Sequence, residues 1–164
     1  MELIFDSSTL ILLAKIDLLR AVAEEVNIII PLKVKEENTI KDILDAKVIS
    51  SLIKEGLIQV KRVSLRGAIK KLCRDFKVQP GEAEALSLAM EKGCPLAVDD
   101  RPTIKACKVL NIRFTTAIHF LVKMAEAGKM DRQMAVAKVE KLSFYGRYNR
   151  RIIEDALKRL EGGI

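Results

Sequence analysis

The chain has 164 residues, 49% of them hydrophobic and 31% charged, which suits one domain with a real hydrophobic core and excludes a disordered chain. A net charge of +7 and a pI near 9.4 favour a polyanionic partner such as nucleic acid. No run of about 18 apolar residues exists to span a membrane. Glu2 and Asp6 stand where a secretory leader needs basic and then apolar residues, so the expected setting is cytoplasmic. Three widely spaced cysteines, Cys73, Cys94 and Cys107, make neither a disulfide framework nor a CxxC zinc site, and read as small apolar side chains.

Short apolar runs alternate with longer amphipathic ones. Glu2–Phe5 reads as a strand broken by Asp6-Ser7-Ser8, and Thr9–Glu25 as helix, divisible around Asp17. Val26–Ile30 is a β-branched run suited to a buried strand. Pro31 suits a first helical turn, so Leu32–Asn38 starts a helix. Asn38 or Thr39 can cap the longer helix that follows, which reaches about Glu55 and stops at Gly56. Leu57–Val63 reads as strand, and Leu65–Phe76 as a basic helix ending before Gln79-Pro80-Gly81. Gly81 opens a helix that Gly93 ends, and Pro95–Val98 is a short strand stopping at Asp99-Asp100. Pro102 then opens a helix to about Leu110, Ile112–Thr115 is the last strand, and Ala117–Ala127 a helix stopped by Gly128. The tail, Asp131–Leu160, reads as two helices around Phe144-Tyr145-Gly146. Strands alternating with helices predict a mostly parallel sheet covered on both faces, with residues 131–164 appended to it as a helical hairpin.

Two apolar strands run directly into aspartate, Leu3-Ile4-Phe5 into Asp6 and Leu96-Ala97-Val98 into Asp99-Asp100. Ligand sites in open parallel sheets lie outside the carboxyl ends of strands, near the reversal of strand order, so distant carboxylates can meet at one crevice. Asp is also a good turn and N-cap residue, and either one alone carries little weight. In the helix from Gly81, Glu82 heads a face continued by Ala85, Leu86 and Ala89, a costly place for a charge unless it is paired or holds a cation. Glu84 reads as a complement to the helix N-terminus. Glu36 and Glu37 follow the second strand by one turn, and either can point back over the strand ends. Clustered carboxylates repel without a cation. The hard ions Mg²⁺ and Mn²⁺ take such oxygen ligands together with substrate phosphate, and promote hydrolysis at phosphorus.

These residues resemble the PIN-domain nucleases, a family that includes VapC-like toxins. Phe5-Asp6-Ser7-Ser8-Thr9-Leu10-Ile11 looks like the first family motif, and Pro31-Leu32-Lys33-Val34-Lys35-Glu36-Glu37 is similar to the second. Gly81-Glu82-Ala83-Glu84-Ala85-Leu86 resembles the Gly-Glu form of the third, and Asp99-Asp100-Arg101 the fourth. The resemblance implies a three-layer α/β/α fold with a five-stranded sheet in a single domain over 1–164. It implies a Mg²⁺- or Mn²⁺-dependent endoribonuclease working through a metal-activated water. Asp6, Glu37, Glu82 and Asp100 become the expected catalytic residues, and Asp6, Glu82, Asp99 and Asp100 the expected metal ligands. Which of the Asp99–Asp100 pair touches metal stays open, and Glu36 remains the alternative to Glu37. The family further implies RNA as partner, a homodimer and, for toxin members, a small antitoxin protein. Lys105 stands where the subgroup often has Arg, and Thr115-Thr116-Ala117 lacks its Gly.

Ser8 is expected either to orient Asp6 or to cap a helix. His119 is the only histidine, and with no Ser/His/Asp or Cys/His arrangement it reads as structural. Lys61, Arg62, Arg66, Lys70, Lys71 and Arg74 read as a solvated basic face. Arg147, Arg150 and Arg151 beside Tyr145 and Tyr148 form a mix able to stack on and hold single-stranded RNA. No GxxxxGK[ST] or GxGxxG supports nucleotide binding. The competing reading is a non-catalytic RNA-binding or protein-interaction module on the same fold. A phosphoacceptor receiver domain is disfavoured, because the first strand ends in the single Asp6.

Overall fold

The computed structural model describes residues 1–40, 43–64 and 66–162. Its strands are β1 (Glu2–Phe5), β2 (Asn27–Pro31), β3 (Ile58–Lys61), β4 (Leu96–Ala97) and β5 (Phe114–Thr115). All pair in parallel, in the order β3-β2-β1-β4-β5. The helices are α1 (Ser7–Lys15), α2 (Leu19–Glu25), α3 (Leu32–Thr39), α4 (Leu44–Lys54) and α5 (Gly67–Phe76), then α6 (Pro80–Lys92), α7 (Arg101–Val109), α8 (Ala117–Glu126), α9 (Arg132–Tyr145) and α10 (Arg150–Leu160). This is the expected α/β architecture with a five-stranded parallel sheet and a C-terminal helical extension. Among the described residues no helix is long and apolar enough to cross a membrane.

The pleat of the central strands sorts the core into two layers. Leu3, Phe5, Ile28 and Ile30 face one cluster, with Leu13 of α1, Leu121 of α8 and Leu142 of α9. Ile4 and Ile29 face the other, with Leu72 of α5, Leu86 of α6 and Ala106 of α7. Both faces of β1 and β2 are therefore buried, which is why these strands read as unbroken apolar runs rather than alternating ones. Phe5 stacks on Phe120 with ring centroids 5.4 Å apart, fixing α8 over the strand that leads to Asp6.

Several element boundaries differ from the sequence reading. The first helix starts at Ser7 rather than Thr9. It is divided from α2 at Asp17, whose φ of 54° lies in the left-handed region. Pro31 ends β2 and precedes α3 rather than sitting in its first turn. Asn38 and Thr39 do not cap a following helix; both belong to α3, and Ile43 holds the N-cap position of α4. Residues 41 and 42 of the expected long helix, and Leu65 at the expected start of the basic helix, lie outside the described residues.

Candidate metal centre

β1 continues to β2 and β3 on one side of the sheet, while β4 and β5 lie on the other. Strand order thus reverses between β1 and β4, where a crevice opens outside the carboxyl ends. Asp6 follows β1 directly, and Asp99 and Asp100 follow β4 after Val98. Backbone bonds fasten these ends together: Asp6 N–H donates to the Ala97 carbonyl at 3.0 Å, and Val98 N–H to that of Thr115 at 2.9 Å.

Asp6 is 1% exposed. Its Oδ2 accepts from the Ser8 hydroxyl at 2.8 Å, while Oδ1 is buried with no hydrogen-bond partner. Burial pushes its carboxyl up from 3.8 to about 7; the charges of Glu82 and Asp100 add to this, and the Ser8 hydrogen bond offsets part of it. Ser8 lies inside the first turn of α1, whose N-cap position Asp6 occupies. Its hydroxyl accepts from the Asp99 N–H at 2.9 Å, so Ser8 ties the end of β1 to the end of β4.

Glu82 is the third residue of α6, whose N-cap is Gln79. The two form a reciprocal capping box in which Glu82 Oε2 accepts from the Gln79 N–H at 2.7 Å. Burial raises the Glu82 carboxyl, the charges of Asp100 and Glu37 raise it further, and the Gln79 hydrogen bond opposes them. The face below it, Ala85, Leu86 and Ala89, is buried as expected, but so are Ala83, Ser87 and Leu88. The helix is enclosed on most sides rather than along one stripe. Glu84 caps another helix, not its own: its Oε2 accepts from Lys33 N–H in the first turn of α3 at 3.1 Å.

The two acidic pairs are each split by geometry. Glu37 lies against Gly81, where a Cβ would stand 2.4 Å from Oε2 and 2.7 Å from Oε1. It also accepts from the Ser7 hydroxyl at 3.3 Å. Glu36, exposed like Glu37, stands instead 3.7 Å from Lys33. Asp100 caps α7, its Oδ2 accepting from Thr103 N–H at 3.0 Å and from the Thr103 hydroxyl at 2.6 Å, and its charge acts on both Asp6 and Glu82. Asp99 turns the other way. Its Oδ2 accepts from Thr9 Oγ1 at 2.7 Å and Ala117 N–H at 3.0 Å, and its Oδ1 from the Tyr148 hydroxyl. Both Asp99 oxygens, expected as possible metal donors, accept from protein groups here. Burial raises this carboxyl and those donors hold it back.

Four residues take parts here that the sequence does not assign to them: Ser7, Thr9, Asn38, read only as a helix cap, and Tyr148, read only as an RNA-stacking side chain. Asn38 is 7% exposed and donates to Ser7 Oγ at 2.7 Å and to the Val34 carbonyl at 2.7 Å. Its signal was available, a polar residue one turn after buried Val34 on the same helix face. Tyr148 is half-buried, and its hydroxyl accepts from Ile118 N–H at 3.2 Å while donating to Asp99. That hydroxyl joins the end of β4 to the first turn of α8. His119 is exposed, and the charges around it are Lys123, Arg159 and Glu126, none of them from the centre. All three cysteines are free thiols.

A family profile described as a PIN domain matches residues 2–162. The chain belongs to the PIN-domain family. PIN domains are generally nucleases and usually use divalent metals. A comparison with curated proteins finds no match. In this PIN domain the donors at the crevice are all carboxylate oxygens, the type that suits Mg²⁺ or Mn²⁺. The unpartnered, buried Oδ1 of Asp6 fits a cation, since burial of an acceptor without a partner is costly. Among the described residues no three or more acidic, histidine or cysteine side chains stand close enough together to hold a metal ion as placed. Glu82 and Asp100 each accept from a helix N-terminus rather than facing one another directly.

Proposed function

We propose that this PIN domain is a divalent-metal-dependent endoribonuclease, of the VapC-like kind that forms the toxin half of a toxin–antitoxin pair. The observation that carries the reading is Asp6. It is a buried carboxylate at the switch point, with one oxygen unpartnered and the charges of Glu82 and Asp100 turned on it. Asp6, Glu82 and Asp100 would hold Mg²⁺ or Mn²⁺, with Glu37 beside them against Gly81. Such an ion, when bound, supplies positive charge at the scissile phosphate and lowers the pKa of water. Ser8 fixes the Asp6 carboxylate, and Asn38, through Ser7, positions Glu37. Asp99 is a positioning residue, since its carboxylate holds α1, α8 and the α9–α10 turn around the crevice. RNA is the proposed substrate, and a homodimer with a small antitoxin protein the proposed assembly.

Purified protein is expected to cut RNA with Mn²⁺ or Mg²⁺ and to stop when EDTA is added. Asp6→Asn is expected to remove at least about 99% of that activity, the loss typical of removing an essential charge-stabilising group. Equal cleavage by wild type and Asp6→Asn would mean that the activity belongs to a contaminant. Salt-dependent RNA binding with no metal-stimulated cleavage would favour the non-catalytic module instead.

A further inference from the structure

A cleft of about 570 Å³ opens beside Asp100, between the start of α7 and the turn joining α9 to α10. Its size lies within the range of about 300–1,000 Å³ usual for small-ligand sites. Ile11, Pro102 and Tyr145 give it apolar surface, Arg101 and Arg147 bring cations to its outer part, and Asp99 and Asp100 line it on the side of the centre. Among the described residues neither arginine pairs with an acid; Arg101 instead reaches the Arg147 carbonyl at 3.5 Å. Tyr145 is 47% exposed and its neighbour Phe144 is 83% exposed. These two rings meet edge to face at 5.2 Å, and the Lys15 ammonium lies 5.0 Å from the Tyr145 centroid. The same turn is held against the centre by the Tyr148 hydroxyl on Asp99.

Exposed rings flanked by unpaired arginines suit a ligand that combines a flat apolar face with negative charge. Nucleobases stack on aromatic side chains, and arginine pairs with phosphate. A base inside a duplex is unavailable for such stacking, so the strand is single. We propose that this cleft is a nucleobase subsite, in which a base next to the scissile phosphate stacks on Tyr145 while Arg101 and Arg147 hold the adjoining phosphates. The assignment rests on the ribonuclease reading and gives it a strand type and a point of contact.

The test is a binding cycle on a short fluorescent single-stranded RNA in EDTA, where the strand stays whole, using copies that carry one abasic ribose at successive positions. Removing the base at one position is expected to weaken wild-type binding roughly tenfold. Tyr145→Ala is expected to weaken the intact strand by the same factor and to make that abasic change cost nothing more. Tyr145→Phe keeps the ring and should bind as wild type does. Unchanged affinity of Tyr145→Ala overturns the subsite, as does an abasic penalty that persists in it. Cleavage of the same RNA with Mn²⁺ is scored separately. Cleavage with a null cycle sinks the subsite alone, whereas a positive cycle without cleavage sinks the nuclease reading and leaves the subsite standing.

Discussion

Asp6 shows how much a single side chain can be made to carry. An acid held at about 7 when folded, against 3.8 in an unfolded chain, binds more protons in the folded state. Its effect is therefore harmless below about pH 4 and increasingly destabilising as pH rises to about 7, by about 1.4 kcal/mol for each pH unit crossed. Asp6→Asn, which removes the charge and keeps the shape, should melt about 10 °C above wild type at pH 8 in EDTA, and the gap should close toward pH 4. Identical melting curves at pH 8 would show that burial of this carboxylate costs nothing. Mn²⁺ needs the ionised form, so its affinity should rise about tenfold per pH unit below 7 and level off above, as calorimetry can follow. Gly81 makes a complementary case. Alanine there would drive its Cβ into the Glu37 carboxylate, the free end of a flexible side chain that can move aside. Gly81→Ala should leave stability within about 1 kcal/mol of wild type. Metal-dependent cleavage should nevertheless fall by about a hundredfold, as expected for displacement of a functional group by an ångström or so. A variant that loses both or neither would contradict this division.

At the scale of elements, the C-terminal pair is latched to the core rather than merely laid on it. Tyr148, between α9 and α10, bonds both Asp99 and the first turn of α8. Tyr148→Phe leaves a mostly buried carboxylate oxygen and a backbone N–H without their partner, a loss of about 1–3 kcal/mol. Chemical denaturation should record a lower midpoint with an unchanged slope. The strand ends were legible in sequence because apolar runs stopping at Asp6 and Asp99 leave little choice of boundary. Asp17 marked the α1–α2 division because Asp tolerates left-handed backbone. Contacts between distant segments were not legible. Nothing local says that Gly81 receives Glu37, or that Ser8 bridges Asp6 to Asp99. Gln79 hid the capping box by standing where Ser or Thr is usual. Asp99 and Asp100 are chemically identical neighbours, and only the path of the chain gives one the donors of Thr9, Ala117 and Tyr148 and the other the first turn of α7.

For the whole molecule, the charge of +7 surrounds a centre made of acids. Lys61, Arg62, Arg66, Lys70, Lys71 and Arg74 are all exposed, as are Arg101 and Arg147 at the cleft. Affinity for single-stranded RNA should therefore fall with salt, at a log–log slope of about −0.7 for each phosphate neutralised. Three or more such contacts give about −2 or steeper, and a flat titration would show that the basic surface does not meet the strand. The reversal of strand order also divides the centre along the chain. Asp6 and Glu37 come before the connection between β3 and α5, and Glu82 and Asp100 come after it. A chain cut in that connection yields two fragments, each holding two of the four acids and neither holding a complete centre. Activity from such a pair would register their reunion, which makes this fold a natural frame for a split reporter.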